Sequence, residues 1–321
     1  MAEMQVFFSD YTIADELDIE EQILAPAGLR IIRSQSKTEQ EVIAALSGLD
    51  PVAIVTQWAP ITAAVMDLCP SLKVVSRNGI GVDNIDLEYC KARGIAVTNS
   101  PRYCIPEVAD HAMSLLLALA RKLVFTTDRV RADDWGSDYL IPIHRLSECT
   151  LGVIGMGSIG RAVVHRARPF FKRVIGYDAY AKDVVVDDVS VDMVELDQLL
   201  AQADFVDIHV PGTAETQHLI NRERLALMKP GAYLVNTCRG IVVDTEALVE
   251  ALSQGRLAGA GLDVFETEPL PMDHPLRGFS EVIITPHAAF YSEEAVEDVR
   301  RDTCVNIVNM LAGDPPVNRV V

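Results

Sequence analysis

The chain has 321 residues, with 46 Asp and Glu against 28 Lys and Arg and a formal net charge of -18. Such acidity repels phosphate backbones and anionic head groups, so nucleic acid and membrane surfaces are not expected partners, and an anionic substrate must be held by a local cation or by backbone N–H groups. With 49% hydrophobic and 23% charged residues the composition is that of an ordinary globular protein, and the length predicts two domains.

Strand-like runs at 6–9 (VFFS), 52–56 (VAIVT), 73–76 (KVVS) and 95–99 (IAVTN) alternate with charged helical stretches at 15–24 and 37–47, a βαβ rhythm. Pro106 and Glu107 make a helix start, and residues 107–123 are apolar on almost every face, which predicts a buried helix. A second alternation begins at residue 150 with TLGVIG, continues with a helix over 158–171, and then runs through RVIGYD, FVDIHV, AYLVNT, AGLDVF and VIITPH. Two successive parallel-sheet units are therefore expected, in the α/β class. The longest apolar run, around 112–120, is far shorter than the roughly 20 residues needed to cross a bilayer. The six cysteines include no C-x-x-C pair, and MAEMQVFFSD carries no basic segment followed by an apolar run, so a cytoplasmic location is expected.

GMGSIG places glycines at Gly155, Gly157 and Gly160, the G-x-G-x-x-G spacing that allows a tight turn, a close backbone approach to a pyrophosphate, and helix-on-strand packing. Alone it is a weak signal. Here a strand runs into it, a helix leaves it, and the next strand ends in Asp178, a carboxylate able to accept from ribose hydroxyls and to repel a 2′-phosphate. That context points to NAD as cofactor, with Lys182 the one feature compatible with NADP.

Three polar residues follow apolar strand-like runs in the second half: Arg239, Glu268 and His287. Ligands bind outside the carboxyl ends of parallel strands, so the three are candidates for one site, although each alone reads as readily as a surface cation, a loop acid and a packed histidine. His111 lies inside the predicted buried helix, His209 ends a strand near the crevice, and His144, His165, His218 and His274 have no partner suggested by spacing. No H-E-x-x-H, Cys/His ligand spacing, P-loop or G-x-S-x-G occurs, so no metal site is expected.

TCRG (237–240), DVFETEP (263–269) and TPHAAF (285–290), taken with GMGSIG, resemble the D-isomer-specific 2-hydroxyacid dehydrogenase family. The likeness extends to RNGIGVDNID at 77–86, PEVADHAMSLLLALAR at 106–121 and the run from 209 to 240, nearly the whole chain. Within the family, TPHAAFYSEEA and RNGIGVDNID look closest to the dehydrogenase module of C-terminal binding proteins. The resemblance implies two Rossmann-like domains, with an NAD-binding domain (100–289) inserted into a discontinuous substrate domain (1–99 and 290–321), and a homodimer. It implies NAD-dependent hydride transfer to or from C2 of a small D-2-hydroxy or 2-oxo acid, and the alternative of an NAD(H)-sensing corepressor-like binding protein. The chain's end at Val321 leaves little room for the extra segments of such corepressors, so catalysis is the expectation.

Residue by residue, the family pattern makes Arg239 the clamp on substrate carboxylate and 2-oxo oxygen, Glu268 the partner of the histidine, and His287 the acid/base. A guanidinium offers two parallel donors to a carboxylate, and a histidine titrating near neutrality can give a proton to the developing alkoxide and retrieve it in reverse. By the same likeness Ile80 and Gly81 receive the substrate carboxylate on backbone N–H groups, and Phe290 flanks the substrate side chain. Ser158, Ile159, Thr237, Cys238 and Asp263 then line the dinucleotide crevice with Arg239 and His287, Asp263 near the nicotinamide amide and Val108 beside it. Phosphoglycerate as substrate would call for more cations in the substrate loop than Arg77.

Overall fold

The computed structural model describes residues 4–11 and 16–321, which divide into two compact units, one of residues 1–104 and 291–321 and one of 105–290. In the first, strands β1 (Met4–Phe8), β2 (Leu29–Arg33), β3 (Ala53–Thr56), β4 (Val74–Arg77) and β5 (Ala96–Thr98) alternate with helices α1 (Asp18–Leu24), α2 (Glu39–Ala45), α3 (Ala63–Asp67) and α4 (Leu87–Arg93). The strands form a parallel sheet in the order β2-β1-β3-β4-β5, the doubly wound arrangement that needs a helical crossover between every pair. Local chemistry sets the helix limits. Thr38 and Glu41 close a capping box on α2, and Asp86 caps α4, which stops at Gly94 in the left-handed region. The expected helix over 15–24 begins at Asp18, and residue 15 lies outside the described residues. β2 was not expected, because its sequence LRIIR places charges at both ends of a short apolar pair.

The second unit opens with α5 (Ile105–Ala120) and α6 (Leu123–Arg131). It continues through β6 (Thr150–Ile154), α7 (Ser158–Ala167), β7 (Arg173–Tyr177), a hairpin of β8 (Val185–Val186) and β9 (Val189–Ser190), β10 (Asp192–Met193) and α8 (Leu196–Gln202). β11 (Phe205–Ile208), α9 (Arg222–Leu227), β12 (Ala232–Asn236), α10 (Thr245–Ser253), β13 (Leu257–Leu262) and β14 (Val282–Ile284) complete it. Its parallel sheet runs β10-β7-β6-β11-β12-β13-β14, so the strand order reverses between β6 and β11 and leaves a crevice at their carboxyl ends. α5 is more one-sided than its sequence suggests. Val108, Ala112, Leu115, Leu116 and Leu119 are buried, whereas Asp110 and Ser114 are exposed, and Leu116 is inaccessible enough that truncation to alanine should cost about 2–5 kcal/mol. α7 ends at Ala167 rather than at 171: Arg168 still has helical backbone and donates to the Val164 carbonyl, but Pro169 has no N–H with which to continue the ladder.

The chain returns to the first unit with α11 (Glu293–Ala312), capped by Ser292 and ended by Gly313. α11 packs on α1 and β4, where Arg300 lies against Glu20, with Nε to Oε1 at 2.7 Å and Nη2 to Oε2 at 2.8 Å. The last residues pair antiparallel with β5 through Thr98 and Arg319. No helix of the described residues is long and apolar enough to cross a membrane.

Candidate active site

Three neighbouring strands of the second sheet deliver the three polar residues singled out in the sequence. β12 runs on to Arg239, β13 to Glu268, and β14 to His287, all at the same carboxyl edge because the strands are parallel. His287 Nδ1 lies 2.7 Å from Glu268 Oε2, and the other carboxylate oxygen of Glu268 accepts the Phe265 N–H at 2.8 Å. That pairing leaves Nε2 of the imidazole as the nitrogen that can face a substrate. The guanidinium of Arg239 donates to the carbonyl of Cys238 at 2.7 Å, while Asn236 Nδ2 holds the Arg239 carbonyl at 2.9 Å. The Cys238 thiol is pushed up to about 11 by burial, so it is a neutral packing group at physiological pH.

His287 has a φ of 54°, in the left-handed region that costs a non-glycine residue roughly 1–2 kcal/mol. It is held there by Asp263. The Asp263 carbonyl accepts the His287 N–H at 2.8 Å, and its fully buried carboxylate accepts from Thr285 Oγ1 (2.5 Å) and the N–H groups of Ala288 and Ala289 (2.9 Å each). His111, placed by sequence inside the buried helix, is half-buried on α5. Its Nε2 sits 3.0 Å from Thr285 Oγ1, bracing the same loop from α5. His218 and His165 likewise gain carboxylate partners, Glu266 and Asp187, that loops bring in from afar. His209 pairs with Asp207 at 2.7 Å, both buried.

At the other side of the crevice, the turn after β6 has the form its glycines predict. Gly155 has a φ of 95°, and a Cβ there would lie 2.2 Å from the His209 carbonyl oxygen. A Cβ on Gly160 would lie 1.9 Å from the Gly155 oxygen, so helix and strand touch there. Around Gly157 a Cβ would meet nothing within 4 Å, which leaves open space where a pyrophosphate must approach. Ser158 and Ile159 begin α7, whose first turn has no side-chain cap and so presents free N–H groups to an anion. Asp178 follows β7. Burial opposes its charge, but N–H groups of Met156, Tyr180 and Ala181 hold its carboxyl below the usual range. Thr237 Oγ1 is buried with no hydrogen-bond partner among the described residues, as expected of a group that a ligand satisfies. The crevice therefore fits a dinucleotide.

In the first unit, the segment after β4 carries Ile80 and Gly81. Asn99 Nδ2 and the Ser100 N–H fix the carbonyls of Ile80 and Gly79. No hydrogen-bond acceptor for the Ile80 or Gly81 N–H is found among the described residues. Arg77 is buried. Its guanidinium donates to the Asn78 carbonyl and lies 5.5 Å from the Trp58 ring centre. Among the described residues no cluster of His, Cys, Asp and Glu is arranged to hold a metal ion.

Residues 113–289 match the family model described as D-isomer specific 2-hydroxyacid dehydrogenase, NAD binding domain. The chain is 42% identical over 260 residues to a glyoxylate reductase of Thermofilum pendens, an alignment covering 80% of this chain and 77% of that protein. It is 39% identical over 284 residues to the D-3-phosphoglycerate dehydrogenase of Methanocaldococcus jannaschii, covering 88% of this chain and 54% of that one. The crystal structure of a D-lactate dehydrogenase from Aquifex aeolicus, complexed with NAD and lactic acid, superposes with a TM-score of 0.83 at 34% identity, covering 97% of this chain and 96% of the other. With its sheet order, its glycine turn and this breadth of likeness, the chain belongs to the D-isomer specific 2-hydroxyacid dehydrogenase family and carries that family's NAD-binding domain.

Proposed function

We propose that this chain reduces a small, unphosphorylated 2-oxo acid of the glyoxylate class to the 2-hydroxy acid, with NADH as reductant. The observation that carries the reading is the His287–Glu268 pair, 2.7 Å apart, at the sheet edge where the neighbouring strand delivers Arg239. Gly155, Gly157, Ser158, Ile159 and Gly160 would hold the pyrophosphate of the dinucleotide, Asp178 its ribose, and Thr237, Cys238 and Asp263 would line the crevice around it. When bound, the reduced nicotinamide would supply a hydride.

Arg239 takes the carboxylate and the 2-oxo oxygen on parallel donors and draws electron density from C2. His287 gives its proton to the 2-oxo oxygen as C2 becomes tetrahedral, and takes it back in the reverse direction. Glu268 accepts the Nδ1–H, which fixes the tautomer and compensates the positive charge of the imidazolium. Ile80 and Gly81 are assigned to the substrate carboxylate, and Phe290 to the substrate side chain.

Glyoxylate is supported by the likeness to a glyoxylate reductase. Against phosphoglycerate stands Arg77, whose guanidinium is engaged by Asn78 and Trp58. Corepressors of the C-terminal binding protein type keep the same three residues, so what favours catalysis over an NAD(H)-sensing role is the likeness to a glyoxylate reductase and a D-3-phosphoglycerate dehydrogenase. We also assign a cytoplasmic homodimer. Leu123, Val124, Val130, Trp135 and Ile141 leave an exposed apolar strip along and after α6, and light scattering tests the mass. A panel of glyoxylate, hydroxypyruvate, pyruvate and 3-phosphohydroxypyruvate, each with NADH and NADPH, tests the activity. Turnover of glyoxylate with NADH is expected, and absence of turnover with every acid overturns the proposal.

A further inference from the structure

The loop that carries Glu268 is tied down at a second point. Glu266 places Oε1 2.7 Å from Nε2 of His218 and accepts the Thr245 N–H on Oε2 at 2.9 Å. Three segments meet here: the loop after β11 with His218, the start of α10 with Thr245, and the loop after β13. His218 has a φ of 49° and gives its own N–H to the Ile241 carbonyl at 2.8 Å. Gly240 backs the same place so closely that a Cβ there would lie 1.9 Å from the Phe265 carbonyl carbon. The Phe265 N–H is in turn the group that Glu268 accepts while it holds His287. The connection thus runs from His218 through Glu266 and the Phe265 peptide to Glu268 and the proton donor.

We propose that His218 is a positioning residue: protonated, it latches the Glu268 loop through Glu266, and on losing its proton it loosens the loop, so that turnover depends on a second histidine ionisation. The inference rests on the reading of His287 as proton donor. The charges acting on His218 are those of Glu266 and Asp244, and the hydrogen bond to Glu266 holds its imidazolium above the ordinary histidine range. Burial opposes the charge of Glu266, but bonds from Thr245 and His218 keep its carboxyl below the usual range, so the histidine is the group that switches. The charged latch is complete below the ordinary histidine range and is lost as pH rises through the raised value. The neutral imidazole keeps a weaker bond, without charge assistance. With side chains 40% and 32% exposed, the effect on turnover is a roughly two- to fivefold one.

The test is kcat for glyoxylate reduction at saturating NADH, followed from mildly acid to alkaline pH in the wild type, His218→Gln, His218→Leu and His287→Asn. The wild-type rate should fall through two ionisations, the one that belongs to His218 being a partial step of two- to fivefold. His218→Gln, which can still donate to Glu266 but cannot titrate, should fall with one. His218→Leu should also fall with one, at a rate lowered two- to fivefold and with KM for NADH unchanged, while melting curves confirm that each variant is folded. A wild-type profile that fits one ionisation with no partial step, or the same profile in His218→Gln as in the wild type, overturns the latch. Retained turnover in His287→Asn overturns the proton-donor reading itself, whereas its loss alongside an unaltered His218→Gln limb overturns the latch alone.

Discussion

Replacing His287 by Asn is the most direct challenge to the proposed chemistry. Asn is close in size and polarity but cannot carry the proton that the 2-oxo oxygen must receive, so the general-acid contribution disappears. That contribution is typically 10²–10⁴-fold, or about 2.7–5.4 kcal/mol in the barrier at 1.36 kcal/mol per tenfold. Glu268→Gln removes less. The 2.7 Å bond to Nδ1 is charge-assisted, worth about 1.5–3 kcal/mol in general, but the two side chains are 21% and 32% exposed, which favours the low end. The Gln carbonyl can still accept the Nδ1–H, so the tautomer survives and about a tenfold loss of kcat/KM is expected. Initial rates of NADH oxidation with glyoxylate measure both variants, and fluorescence titration of NADH checks that the crevice is intact. If His287→Asn kept wild-type turnover, or if Glu268→Gln were the more damaged of the two, the proton would come from another group and the assignment would fail.

Asp178→Ala should narrow the preference for NADH over NADPH, read from the ratio of kcat/KM. Because the Asp178 carboxyl is held below its usual range, its part in NADH affinity should be intact at and above that range and fade only as pH falls below it. Gly157→Ala should leave the melting temperature unchanged and weaken NADH binding, since the new Cβ meets only open space, whereas Gly160→Ala should lower both, since its Cβ would meet the Gly155 oxygen. Cys238, pushed up to about 11, should resist alkylation by iodoacetamide at neutral pH, and mass spectrometry of the labelled peptide checks this. Asp263→Asn should destabilise the protein by about 1–3 kcal/mol in denaturant titration, because an amide NH₂ would face the N–H groups that its carboxylate now accepts.

Most of the strands, the glycine turn and the positions of the three polar residues were legible because each rests on a local pattern: an apolar run, a spacing, or a residue following a strand; β2, with only a pair of isoleucines between charges, was not, and the roles of the three residues came from family likeness. What was not legible depends on loops meeting. His111 read only as a residue inside the buried helix, yet the topology sets β14 beside β13 and brings Thr285 within 3.0 Å of it. His218 and Glu266 are separated by α9, β12, α10 and β13, and no periodicity links them. Asp263 was placed by family likeness near the nicotinamide, but periodicity could not reveal that its carboxylate is occupied by the 285–289 segment. The early end of α7, by contrast, was readable from Pro169.

The left-handed backbone at His287 ties these points together. A histidine in that conformation is held against a cost of roughly 1–2 kcal/mol, and a chain with freedom to relax would extend instead. Several bonds that oppose relaxation end on one residue: Asp263 accepts through its carbonyl from His287 and through its carboxylate from Thr285, Ala288 and Ala289. Hydrogen bonds to a charged group are worth about 1.5–3 kcal/mol each, so together they exceed the strain. The same bonds make burial of the Asp263 carboxylate tolerable, since an unpaired buried charge would cost far more. Sequence places Asp263 at the end of β13 and His287 just past β14, and neighbouring parallel strands carry both to one edge. The strain at the proton donor and the buried acid beneath it are therefore two sides of one arrangement, in which a rigid strand end fixes where the imidazole stands.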